Sequence, residues 1–183
     1  MNAKFKSFTR ANLVAAILMT CAAAFGFAEG RAENKLNDME IAHIAYTASE
    51  IDIRYAHLAL AISENPEIRR FAELMIRDHS AVNKKALALV RKLKGTSQDN
   101  AMSRQLNEQA GKIRNELSPL RGEAFDQRYA ANELAYHQTV NNVVEIQFIP
   151  NVQNAEFKAL LVAALQTFKA HEHHAAMMNK NLM

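Results

Sequence analysis

Tryptophan is absent from these 183 residues, cysteine occurs once, and three prolines and five glycines are the only strong helix breakers. So few turn formers cannot punctuate a chain of many short strands, and no alternating strand pattern is visible. Abundant alanine, leucine and methionine instead fit an all-helical domain. The lone Cys21 lies in an apolar N-terminal stretch. If that stretch is removed, no thiol remains, which excludes disulfides, zinc fingers and thiolate chemistry.

An excess of one charge is missing too. The chain has 22 Lys and Arg against 19 Asp and Glu, but Lys4, Lys6 and Arg10 all precede residue 28, where no acid occurs. Without those three the remainder is balanced, so the basic isoelectric point gives no reason to infer a nucleic-acid partner. The same residues form the basic start of a secretory signal. The apolar run Leu13–Phe27 follows, and Gly26-Phe27-Ala28 has the small-x-small form of a cleavage site. That run is shorter than the ~20 residues of a membrane span, and Thr20 and Gly26 interrupt it. The expected organisation is a signal peptide over 1–28 cleaved near Ala28, a flexible mature N-terminus over 29–37 and one helical domain over 38–183. The expected location is the periplasm, with no transmembrane segment in the mature form.

Apolar residues then recur in steps of three and four. A first helix over 38–63 carries Ile41, Ile44, Ala48, Ile51, Tyr55, Leu58 and Ile62 on one stripe. Asn65-Pro66 breaks it, and Pro66 suits the first turn of a second helix. That helix runs to about Lys94 with Ile68, Met75, His79, Val82, Ala86, Leu89 and Leu93 inward, and Gly95 ends it. A shorter third helix carries Leu106, Ala110, Ile113 and Leu117. A fourth spans about 123–148 and stops at Pro150. A fifth begins after Asn154, with Phe157, Leu161, Ala164, Phe168, His171, Ala175, Met178 and Leu182 as its seam. The connection lengths predict two antiparallel hairpins joined by a crossover that holds the short helix, which is a ferritin-like four-helix bundle.

Into this apolar pattern the sequence inserts ionisable groups. His79 and His171 occupy seam positions, and His137 lies on the inner side of the fourth helix. Asp52 and His79 are nearly equidistant from the turn at Pro66, so an antiparallel pair puts them at one level. Glu133 and His137 share a face at i and i+4, as do His171 and His174 at i and i+3. Turn positions bring Asp52, His79, Glu133, His137, His171 and His174 to one layer, with Asp126 and Tyr129 as an outer shell. Buried ionisable groups are costly unless paired or bound to metal. Three imidazoles with one or two carboxylates suit zinc, copper or iron and do not suit calcium or magnesium. A di-iron site would need Glu-x-x-His on two helices, whereas this chain has Glu133-x-x-x-His137.

The plain alternative for each histidine is a core imidazole hydrogen-bonded to a carboxylate. His43, Glu50, His57 and Glu64 read as the solvated face of the first helix. Asp78 is rotated about 100° from His79 and reads as facing water or a neighbouring helix edge. His173 reads as outward. Met75, Met177 and Met178 read as core filler, and Lys84, Lys85, Arg91, Lys92 and Lys94 as a dipole-complementing surface.

Several of these runs together resemble a known family. They are Ile51-Asp52-Ile53, then Phe71-Ala72, Met75, Asp78-His79 and Val82-Asn83. Later come Gly122-Glu123-Ala124-Phe125-Asp126 with Tyr129, Asn132-Glu133 with Tyr136-His137, and His171 with His174-Ala175. Their order and spacing over about residues 38–178 resemble the exported bacterial family called domain of unknown function 4142. The resemblance implies a ferritin-like fold and an exported location, and no activity. The label of outer-membrane protein that some members carry finds no barrel-strand pattern here.

Three functional readings follow. The first is a bundle that holds a transition metal for sequestration or stress protection. The second is a structural or interaction module whose histidines are hydrogen-bonded and metal-free. The third, a redox or hydrolytic metalloenzyme, has neither a nucleophile motif nor an evident substrate cleft in its favour. The sequence does not fix the oligomeric state.

Overall fold

The structure, a computed structural model, describes residues 35–183. The expected signal peptide, its cleavage site near Ala28 and residues 29–34 lie outside the described residues. Those described are helical, with no strand among them. The order is α1 (Asp38–Ile62), α2 (Pro66–Lys92), α3 (Ala101–Leu117), α4 (Gly122–Val143), a π-helical turn (Val144–Phe148), the single turn α5 (Ile149–Asn151) and α6 (Ala155–Leu182). No helix among them is long and apolar enough to cross a membrane.

Local chemistry sets these limits. The Asn37 side chain accepts from the backbone of Met39 and Glu40, and the Glu40 carboxylate answers from the Asn37 amide, a reciprocal cap for α1. Asn65 caps α2 ahead of Pro66, Asn100 caps α3, and Asn154 accepts from the Phe157 amide at the start of α6. The end of α2 differs from expectation. Lys94, with φ 51°, takes the left-handed position that the sequence assigns to glycine. At Gly95 a Cβ would run into the Met39 sulfur, so any larger residue there would make that flexible side chain move aside. Leu93 caps the helix instead of continuing its seam, and is exposed.

The fourth helix does not stop cleanly at Pro150 either. Proline has no amide hydrogen to give to the preceding turn. The ladder widens before it, with the Ile149 amide donating to the Val144 carbonyl. Helical backbone then persists to Asn151.

The long helices α1, α2, α4 and α6 close a four-sided arrangement. α1 packs on α2, α2 on α6, α6 on α4 and α4 on α1, while α3 lies mainly against α1. Asp38 accepts from the backbone amides of Gln153 and Asn154, pinning the first turn of α1 to the α5–α6 link. The apolar seams fill two separate clusters. One gathers Ile51, Tyr55, Ile68, Phe71, Met75, Phe125, Tyr129 and Met178. The other gathers Ile41, Ile44, Val143, Val144, Phe148, Phe157, Leu161 and Leu165. Each fully buried Ile, Leu or Phe contributes about 1.5–3 kcal/mol. Between the clusters the facing positions are polar: Ser49 and Asp52 on α1, His79 and Asn83 on α2, Glu133, His137 and Asn141 on α4, and His171 on α6.

Candidate metal centre

All four long helices contribute an ionisable side chain to this polar waist. Asp52 and Glu133 are 0% exposed, His79 4%, and His137 and His171 2% each. Helical spacing explains how each arrives. His79 is one turn beyond Met75 on the buried stripe of α2, and His171 one turn short of Ala175 on that of α6. Ligating atoms of His79, His137 and His171 all lie within 4.8 Å of one another, and so do those of Asp52, Glu133 and His137. Asp52 joins the two groups: its Oδ2 is 2.9 Å from His79 Nε2 and 3.3 Å from His137 Nε2. Phe168 lies flat on His79, with ring centroids 4.4 Å apart, and walls one side.

Each imidazole has one nitrogen engaged away from this meeting point. His137 Nδ1 lies 2.9 Å from the Glu133 backbone carbonyl, and His171 Nε2 lies 2.9 Å from Asp78 Oδ2. A carbonyl and a carboxylate only accept, so each ring donates there and its other nitrogen carries a bare lone pair. His79 Nδ1 is 3.2 Å from the Ser49 hydroxyl. The inward atoms are left over. His79 Nε2, His137 Nε2, His171 Nδ1 and both Asp52 oxygens are buried and unpartnered, as is Glu133 Oε2. The close approaches of His79 and His137 to Asp52 therefore lack the alignment of hydrogen bonds.

Electrostatics fits the same picture. Burial lowers the pKa of His171 to about 4, and Asp78 only partly offsets it. Burial likewise pushes His137 down, so both rings are neutral at pH 7. For Asp52, burial favours protonation, but the imidazoles of His79 and His137 overcome it and hold the carboxyl at about 2. Glu133 goes the other way, raised well above the ordinary glutamate range by burial and then by the Asp52 charge. The waist thus holds one firm carboxylate, one carboxyl that resists ionising, and two rings, His137 and His171, that burial keeps neutral.

The other expected residues fall elsewhere. His174 is half-buried and meets Phe71 edge-on at 5.1 Å, outside both groups. Asp126 accepts from the Ser63 hydroxyl, tying α4 to the end of α1. Tyr129 is fully buried, stacked on Phe125, and its hydroxyl is unpartnered. Of the face expected to be solvated, His57 and Glu64 are exposed. His43 and Glu50 are not: they are half-buried, with His43 Nδ1 3.2 Å from Ser103 Oγ and Glu50 accepting from Asn83. The helix rotation puts both at the edges of α1, beside α3 and α2. Asp78 takes the second of the two positions expected for it, at the edge of a neighbouring helix, as the partner of His171. A rotation of 100° from His79 on α2 turns it toward the neighbouring α6. Ser49, one turn before Asp52, and Asn141, one turn after His137, were also legible as same-face positions and were missed. Asn141 donates to the Phe168 carbonyl and to Glu172.

No curated protein matches this chain. One similar solved structure is CopM in the Cu(II)-bound form, at a TM-score of 0.62 and 16% sequence identity, covering 81% of this chain and 99% of that one. At that identity the likeness speaks for the fold. Sequence decides the family, since the match spans residues 26–178 and takes in every residue of the waist. The chain belongs to the family described as Domain of unknown function (DUF4142).

Proposed function

We propose that this protein binds a transition-metal ion inside a ferritin-like bundle, through His79, His137, His171 and Asp52, and serves in metal sequestration or stress protection. One observation carries the reading: ligating atoms of three imidazoles from three helices lie within 4.8 Å of one another beside the Asp52 carboxylate, and His79 Nε2, His137 Nε2, His171 Nδ1 and both Asp52 oxygens are buried without a hydrogen-bond partner. Polar atoms buried without partners are costly, and a cation bound among them removes that cost. Tetrahedral ligation at ~2.0–2.1 Å separates neighbouring donor atoms by about 3.3 Å, close to the distances between Asp52 and two of the rings. Nitrogen-rich donors favour zinc, copper or iron over calcium or magnesium. CopM shares the fold and was solved with Cu(II), which makes copper a reasonable first ion to test. Glu133 stands beside Asp52 as its carboxyl neighbour. The signal-like residues 1–28 support an exported, periplasmic location.

The test is metal analysis of the protein purified without a polyhistidine tag, alongside His79→Ala and His171→Ala. Stoichiometric zinc or copper in the wild type, lost in both variants, is the expected result. Metal content near zero in all three forms leaves the second reading, a helical module whose polar waist only orders the helices.

A further inference from the structure

Within the waist, His171 differs from the other two rings in what holds it. His137 is fixed by a carbonyl of its own helix, one turn back, and His79 by a serine hydroxyl. His171 on α6 is fixed by a carboxylate from α2. That carboxylate, Asp78, precedes His79 in sequence, so two consecutive residues serve the centre differently. His79 sends its own ring inward, while Asp78 reaches across the α2–α6 seam to a ring on the facing helix. Asp78 is partly exposed, its side chain 19% accessible, and Arg77 Nε holds its other oxygen at 2.7 Å. It is therefore anchored at the rim, where an ionised carboxylate keeps its hydration, and is not itself within the ligand groups.

We propose that Asp78 is a positioning residue for metal binding: it keeps the His171 proton on Nε2 and thereby assigns Nδ1 as the ligand atom. Resting on the metal reading above, this adds which nitrogen of His171 binds and which residue decides it. The physical reason is tautomer choice. Free imidazole carries its proton on either nitrogen, and a metal takes only the bare one. His171 Nδ1 is buried and unpartnered, Nε2 is taken by Asp78, and the ring stands in one group with His79 and His137, so a proton on Nδ1 would block the site. A carboxylate on the far nitrogen excludes that tautomer, orients the ring and raises its basicity as a ligand, an arrangement whose loss costs 10–100-fold in metal affinity.

The experiment uses the full chain without a tag, with Zn(II) as the probe, comparing wild type, Asp78→Ala and Asp78→Asn. Zinc affinity is read by competition with a chromophoric chelator. The His171 ring is read by long-range nitrogen–proton NMR of 15N-histidine protein, metal-free and zinc-loaded. In the wild type, metal-free His171 carries its proton on Nε2, and zinc loading shifts Nδ1. Asp78→Ala loses that tautomer preference and binds zinc about 10–100-fold more weakly, with an unchanged helical spectrum. Asp78→Asn retains an acceptor oxygen and recovers most of the affinity. A purely structural role for Asp78 would leave the wild-type ring signature in Asp78→Ala. Zinc bound equally well by Asp78→Ala, or His171 coordinated through Nε2, overturns the assignment while the metal reading stands. A wild type that binds neither zinc nor, in a parallel titration, copper overturns both.

Discussion

The apolar clusters and the polar waist are built from the same helices by the same periodicity, yet they obey opposite energetics. In the cluster around Phe71 and Phe125, the buried side chains are apolar or aromatic, and their carbon surface gains from leaving water. In the waist, Asp52 and Glu133 lie fully buried side by side, with unpartnered oxygens and an unpartnered nitrogen on each of three rings. The clusters hold the fold up, and the waist draws on that stability to keep a costly constellation in place. Strained or unsatisfied groups persist where the surroundings overdetermine them, and they mark function more often than folding.

The largest effect expected belongs to the clusters. Phe125→Ala removes a fully buried ring stacked on Tyr129 and should cost about 3–5 kcal/mol in denaturant unfolding. The loss should be the same with and without metal, because Phe125 contributes no donor atom. A metal-dependent penalty would mean that cluster and waist are not separable.

Next comes the waist itself. Replacing Asp52 and His79 together by leucine should leave the metal-free protein as stable as the wild type, or more stable by ~1–4 kcal/mol, as apolar replacement of buried charge pairs often does. The same double variant should lose the gain that saturating zinc gives the wild type, about 2.7 kcal/mol at a hundredfold excess over Kd. A large metal-free penalty would turn the waist from a functional burden into a structural element.

The smallest effect is a pH slope. His171 falls from an ordinary 6.5 to about 4 on folding, so between those values the unfolded chain takes up the proton first. Metal-free stability should therefore drop as the pH is lowered from about 6.5 toward 4. Asp52, lowered from 3.8 to about 2, extends the loss in the same direction at lower pH. Glu133 has the opposite sign. Its folded form keeps the proton beyond the ordinary 4.5, so it removes stability as the pH rises from there. Thermal melts of wild type and Glu133→Gln across this range check both limbs, since the variant should lack only the alkaline one.

Much of this contrast was readable before any coordinates. Seam positions of helices α1, α2 and α6 are plain in the spacing from Ile41 to Tyr55, from Ile68 to Met75 and from Phe157 to Met178. Histidines standing in those stripes gave the waist away, and distance from the Pro66 turn matched Asp52 with His79. Rotation around each helix was harder to read, because its outcome depends on which neighbour lies alongside. For Asp78 the spacing leaves water and a neighbouring helix edge both open, and the placement of α6 beside α2 selects the edge. His174 shares a face with His171, but one further turn along the axis takes it from the waist to Phe71. Asp126 lies farther still, near the α1–α2 turn, where a serine claims it. Backbone detail was hidden for another reason: both the widened turn before Pro150 and the left-handed Lys94 answer to local packing that residue type alone does not encode.

A crystal grown with zinc or copper and measured at that metal's absorption edge asks whether the convergence of lone pairs is a binding site. One anomalous peak inside the bundle, ~2.0–2.1 Å from His79 Nε2, His137 Nε2 and His171 Nδ1 with Asp52 alongside, is the result expected here. An interior without a peak, or metal held only at surface residues such as His173 and Met177, would contradict it.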